Sequence, residues 1–259
     1  MLNRLLKYEI KATARKFLPL YAAIIVVSLF VNWGIRFPKL GIISGLSNFL
    51  LAALFVSLIA ITLITIIQRF KNNLLSNEGY LMFTLPVSTK KLILSKLICA
   101  VVWAFLSVIV SVFSFLIIAF SLGLITSIKD FLTQYSYYVE LIKKDHIILA
   151  TLGVVSIVMQ FVYFVLLVYC SLSVSQLPVF NKHRGAASFL AFIIISVVAN
   201  VLVQGIIKNI FSGITLGISV SDIKELIPMF ITAFIINTSL SAIMFFATDY
   251  LLSNHLNLE

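Results

Sequence analysis

The chain has 259 residues, of which 61% are hydrophobic and 11% charged, with a mean hydropathy of +1.14 and a net charge of +10. Soluble domains run at about 45–50% apolar and 25% charged residues, so a water-soluble globule of this length is excluded by the apolar surface it would have to hide. The positive balance does not point to nucleic acid: the basic residues stand in short segments between apolar blocks, where they hold a membrane protein on its cytoplasmic side against anionic lipid.

A bilayer core of about 30 Å needs about 20 mostly apolar residues in helical form. Six blocks answer to that, at about 17–34, 46–67, 92–120, 147–177, 186–207 and 226–252. They predict an all-α polytopic membrane protein, a single transmembrane domain over 1–259. The third, fourth and sixth blocks exceed the minimum and are expected to tilt or to project beyond the lipid.

Ahead of the first block, Arg4, Lys7, Lys11 and Arg15 recur at helical spacing, with Leu2, Leu5, Leu6 and Thr13 on the other side. Residues 1–16 therefore read as an N-terminal amphipathic interfacial helix, with these four cations as its anchor. The competing reading is a cytoplasmic extension of the first span. Pro19 offers a bend that favours the surface helix. A signal peptide is rejected, because the apolar run is long, five further spans follow and no small-x-small cleavage pattern ends it.

Between the second and third blocks, residues 68–91 are unusual for a polar loop. Tyr80, Leu81, Met82 and Phe83 form an apolar cluster outside the spans, and Pro86 keeps Leu85 out of the helical region. Ser88 can cap the third helix. Lys90 and Lys91 then stand at that helix's positive end, where cations are mildly unfavourable, so they make more sense as headgroup contacts or as a positive-inside anchor. An exposed apolar cluster marks a contact site, or it tucks under its own bundle; the residues leave both readings open.

The loop after the third block repeats Phe131, Leu132, Tyr135, Tyr138, Val139 and Ile142 at helical spacing, as a short amphipathic helix at the outer interface would. Asp222 and Glu225 form a capping pattern for the sixth helix, with Pro228 in its first turns. With the N-terminus inside, the cytoplasmic segments hold twelve of the 19 basic residues and four of the nine acids. Basic residues set orientation, so both termini are expected in the cytoplasm.

The chain has no GxxxxGK[ST] phosphate loop, and no Gly-Lys pair at all. It also lacks HExxH and GxSxG. His146, His183 and His255 stand near predicted membrane boundaries and are not expected to meet. Cys99 and Cys170 have no CxxC partner and read as small buried hydrophobes. No catalytic residue, metal site or cofactor site emerges. The span centres carry no charges, only the amides Gln160, Asn200, Gln204 and Asn237. These either bond between helices or line a substrate path.

The run EGYLMFTLPVSTKKLILSKL, residues 78–97, resembles the first cytoplasmic loop of permease subunits of type-2 ABC exporters, in particular the small six-span permeases of low-GC Gram-positive bacteria. Those commonly read Y-L-x-F-T-L-P-V-S, then basic residues and L-x-x-S-K. The architecture around it is similar too, from the basic first segment to the ending at Asp249-Tyr-Leu-Leu-Ser-Asn-His-Leu-Asn-Leu258. The resemblance implies that Glu78, Gly79, Tyr80, Leu81, Phe83 and Pro86 couple to a separate ABC ATP-binding subunit, and that ATP and Mg are bound by that partner. It implies a second permease chain, identical or paralogous, and a multi-pass place in the plasma membrane of a Gram-positive bacterium. Families of this shape export antimicrobial peptides, drugs, lipids or sodium; the apolar interior favours an amphipathic or hydrophobic cargo. The alternatives are a secondary transporter or channel, which buried charges or an internal repeat would support, a membrane enzyme, which a buried catalytic set would support, and a stand-alone membrane immunity protein.

Overall fold

A computed structural model describes residues 2–36, 41–75, 87–122, 144–177, 180, 183–210 and 223–254. Among them are six helices: α1 (Leu2–Arg36), α2 (Gly41–Leu74), α3 (Thr89–Ser121), α4 (Lys144–Val174), α5 (Arg184–Ile210) and α6 (Ile223–Asn254). All six are long and apolar enough to cross a membrane, and the described residues include no strand. The all-α, six-span reading is therefore correct. A membrane favours this solution because a helix satisfies its own backbone, which lipid cannot do.

The helices overrun the predicted blocks at most ends, since a helix continues past the hydrocarbon as long as its polar residues can reach headgroups or water. α4 is the exception. It ends at Val174 rather than 177, and residues 175–177 form a turn. α1 runs unbroken from Leu2 to Arg36 with Pro19 inside it, so no break sets off residues 2–16 from the span. Proline is tolerated within such a span because neighbouring groups take up the freed carbonyl.

The chain forms two compact units. The first comprises Met1–Ile66 with Ile98–Leu141, the second Ile67–Leu97 with Ile142–Glu259. The core of the first unit is built on α1, where Glu9, Thr13, Phe17, Leu20, Ile24, Val27 and Val31 are buried at steps of three or four. This is the stripe a helix presents to neighbours at shallow crossing angles. Phe17 stacks on Trp103 of α3, with centroids 4.7 Å apart and planes at 9°. Polar atoms close the same core: Trp103 Nε1 donates to Thr13 Oγ1 at 2.6 Å, and Thr13 Oγ1 in turn donates to the Glu9 carbonyl at 2.8 Å. Tyr21 Oη lies 2.8 Å from Ser107 Oγ. At the far end, Asn32 Nδ2 donates to the Ile117 carbonyl at 2.7 Å. Without a hydrophobic driving force between helices in lipid, close packing and such hydrogen bonds hold the unit together.

In the second unit α4 packs along much of its length against α6 and, over a shorter stretch, against α5. Its last turns are enclosed: every residue from Val165 to Ser173 is buried, whereas its first turns are largely exposed. The buried serines there, Ser171, Ser173 and Ser175, each donate to a carbonyl three or four residues earlier, so their hydroxyls are satisfied without a partner helix.

Candidate functional site

The loop between α2 and α3 leaves and returns through well-packed ends in the second unit. On the way out, Phe70 and Leu74 are fully buried and Leu75 nearly so. Phe70 stacks on Tyr169 of α4 at 4.2 Å between centroids and 12° between planes. Offset aromatic stacking of this kind adds about 0.5–1.5 kcal/mol beyond the area it buries.

On the way back, Ser88 stands at the N-cap of α3. Its carbonyl accepts from Lys91 N at 2.9 Å and from Leu92 N at 3.3 Å, which is where the sequence places the cap. The next residue, Thr89, donates its hydroxyl to Oδ1 of Asp249 near the end of α6. Lys90 Nζ lies 3.9 Å from Oδ2 of the same carboxylate and 5.8 Å from the centroid of the Phe246 ring. The Asp249 side chain is 15% exposed and that of Lys90 59%. The hydroxyl bond to the carboxylate is thus the stronger tie, at about 1.5–3 kcal/mol for a charged acceptor, while a solvated pair such as Lys90–Asp249 contributes about 0.2–1 kcal/mol. Asp249 also answers the unfavourable position of Lys90, because a carboxylate beside a helix N-terminus offsets its charge and interacts favourably with the dipole. Behind it, Leu92, Ile93, Ser95 and Lys96 are all buried.

One end of the loop is therefore tied to α4 and the other to α6.

Of the sequence-predicted residues, Glu78, Gly79, Tyr80, Leu81, Phe83 and Pro86 lie outside the described residues, as do the outer-loop tyrosines Tyr135 and Tyr138, Asp222, Lys182 and His255. Arg4, Lys7, Lys11 and Arg15 are exposed on α1, opposite the buried Glu9, Thr13 and Phe17. Gln160, Asn200 and Gln204 are exposed and Asn237 is half-buried. Asn200 Nδ2 donates to the carbonyl of Ser196 on its own helix at 2.8 Å. Cys99 and Cys170 form no disulfide and are buried, as expected of small core residues. Lys96 differs from expectation: it reads as a cytoplasmic loop cation but is 3% exposed within the third turn of α3, and Glu9 is 7% exposed on α1. Neither is without a polar or electrostatic interaction. Lys96 follows three buried neighbours on an apolar helix face, a pattern the sequence shows but that its charge obscures.

Comparison of the chain with models of protein families, with curated proteins and with solved structures finds no match in any of the three.

Proposed function

We propose that this chain is the membrane-spanning subunit of an ATP-driven ABC exporter of the type-2 kind, moving an amphipathic or hydrophobic substrate such as an antimicrobial peptide, a drug or a lipid. The observation that carries the reading is the anchoring of the 76–86 segment. It bears the Tyr-Leu-Met-Phe cluster, and its flanks are fixed to α4 through Phe70–Tyr169 and to α6 through Thr89–Asp249. A docking element that must move transmembrane helices needs rigid attachments to them, and these are two. On this reading Glu78 to Pro86 engage a separate ATP-binding subunit, which holds ATP and Mg, and a second permease chain completes the complex. The termini lie in the cytoplasm of a bacterial cell, and transport confers resistance to the exported compound.

A secondary transporter draws on the buried Glu9 and Lys96. Both stand toward helix ends rather than at span centres, which favours an anchoring role over ion coupling.

The test is purification of the full chain with the ATPase encoded beside its gene. Stable association, no hydrolysis by the isolated chain and substrate-dependent hydrolysis by the complex are expected. Robust ATP hydrolysis by the chain alone, or export driven by an ion gradient without any ATPase, overturns the proposal.

A further inference from the structure

In the second unit α5 turns one side toward α4, where Phe192 meets Phe164 edge-on at 6.2 Å between centroids and Ala199 is buried. Its other side is bare. Ala186, Phe189, Ile193, Val197, Asn200 and Gln204 follow one another at steps of three or four, and all six are exposed. Exposed apolar residues are at home in lipid; the two amides are not. The apolar stretch of α5 runs from Arg184 to Ile206. At 1.5 Å per residue, Asn200 stands about 8 Å and Gln204 about 14 Å from its middle, so both fall inside a hydrocarbon core about 30 Å thick. Asn200 gives one N–H to the carbonyl of Ser196 and keeps the other N–H and its oxygen. Gln204 makes no hydrogen bond among the described residues.

Hydrocarbon offers an amide neither donor nor acceptor. We propose that this face of α5 is covered by the same face of a second copy of the chain, with Asn200 and Gln204 hydrogen-bonding across the contact. Self-complementarity points to a second copy. Both copies hold the same orientation in the bilayer, so their α5 helices meet about a two-fold axis along the membrane normal, and each residue faces its counterpart or a near neighbour. A stripe of like charges would repel itself there, whereas an amide carries donor and acceptor together and satisfies its twin. Steps of three and four are the seam of a helix pair at a shallow crossing angle, a common geometry in membranes, where polar side chains bond across helices. Lys208, one turn past Gln204, is exposed beyond the apolar stretch, and its long stem carries the charge into water and away from its counterpart. The inference gives the second chain of the proposed exporter a surface, but it rests on the amides and not on ATP coupling.

Self-association of the full chain in lipid vesicles, with no ATPase present, tests this. In a Cys99→Ala, Cys170→Ala background, Ile193→Cys should cross-link to a dimer under mild oxidation. Ile157→Cys, on an exposed face of α4, should not. Energy transfer between labelled chains on dilution with lipid gives the dissociation constant. Asn200→Leu and Gln204→Leu should each raise it about tenfold; both replace a polar group in the span with an apolar one, so insertion is preserved. Gln160→Leu, which removes an exposed amide from α4, should leave it unchanged. A chain that stays monomeric at every dilution, a cross-link through Ile157 in place of Ile193, or an equal loss from Gln160→Leu overturns the proposal. So does a dimer that is as tight with both α5 amides replaced, which leaves them to a substrate path. A dimer with the expected behaviour from a chain that binds no ATPase supports this inference and removes the exporter reading.

Discussion

Thr89 opens α3 and Asp249 nearly closes α6, yet the hydroxyl of the first donates to the carboxylate of the second across 160 residues of sequence. The bond sits where the loop re-enters the helices. Its removal should loosen the end of α6 without disturbing the apolar packing below. Asp249→Ala is expected to lower stability by about 1–3 kcal/mol, and Thr89→Val by a comparable amount. Lys90→Ala should cost less than about 1 kcal/mol, since that pair is solvated. Thermal unfolding of the purified chain in detergent ranks the three. A Lys90 variant as damaging as the Asp249 variant would show that the ion pair, not the hydroxyl bond, is the tie.

How much of this was legible in the sequence follows from which interactions are local. The spans were legible, because length and hydropathy are properties of contiguous residues and lipid leaves few alternatives to a helix. The Ser88 cap was legible for the same reason, since Pro86 and Ser88 act on their immediate neighbours. The partner of Asp249 was not: a lone acid at the end of an apolar block announces that it needs a donor, but nothing in the pattern says which of the six helices supplies it. Thr13 shows the same limit. Its place opposite the basic stripe was readable from spacing, while its bond to Trp103, 90 residues on, depends on tertiary packing alone.

Trp103 is the centre of the first unit, stacked on Phe17 and hydrogen-bonded to Thr13. Trp103→Ala removes both the ring contact and the indole donor, and large-to-small changes of this kind cost about 3–5 kcal/mol. Trp103→Phe keeps most of the stacking and loses the donor, so it should cost about 1–2 kcal/mol. Unfolding midpoints of the two variants give the comparison. Equal losses would mean that the stack contributes little and the hydrogen bond nearly everything.

Gly34 and Gly153 predict opposite outcomes for one chemical change. A Cβ at Gly34 would stand 2.9 Å from the Ser44 Cβ and 3.1 Å from its Cα, closer than the backbones of α1 and α2 allow. A Cβ at Gly153 meets only a Phe230 ring carbon at 3.9 Å, ordinary contact. Small residues permit such helix approaches in membranes. Gly34→Ala should therefore destabilise by about 1–3 kcal/mol, the usual cost of overpacking. Gly153→Ala should be neutral or stabilising by up to about 1 kcal/mol through helix propensity. Melting curves in detergent decide it, and a tolerant Gly34 would mean that α1 and α2 are free to part at this point.

The proposed coupling makes the sharpest functional prediction, because it separates stability from work. Glu78→Ala and Tyr80→Ala alter the 76–86 segment, while the ties that flank it, Phe70–Tyr169 and Thr89–Asp249, are left in place. Both variants should insert, fold and melt like the parent chain. In the complex with its ATPase they should reduce substrate transport at least tenfold, as loss of about 1.4 kcal/mol of coupling does, while basal ATP hydrolysis persists. Phe70→Ala tests the same linkage from the helix side: it leaves the segment's own residues intact but frees one attachment, so transport should fall while the ATPase still binds. Export that survives replacement of all of 78–86 would remove the segment from the mechanism, and a Phe70 variant that loses ATPase binding altogether would place the docking surface on α2 itself.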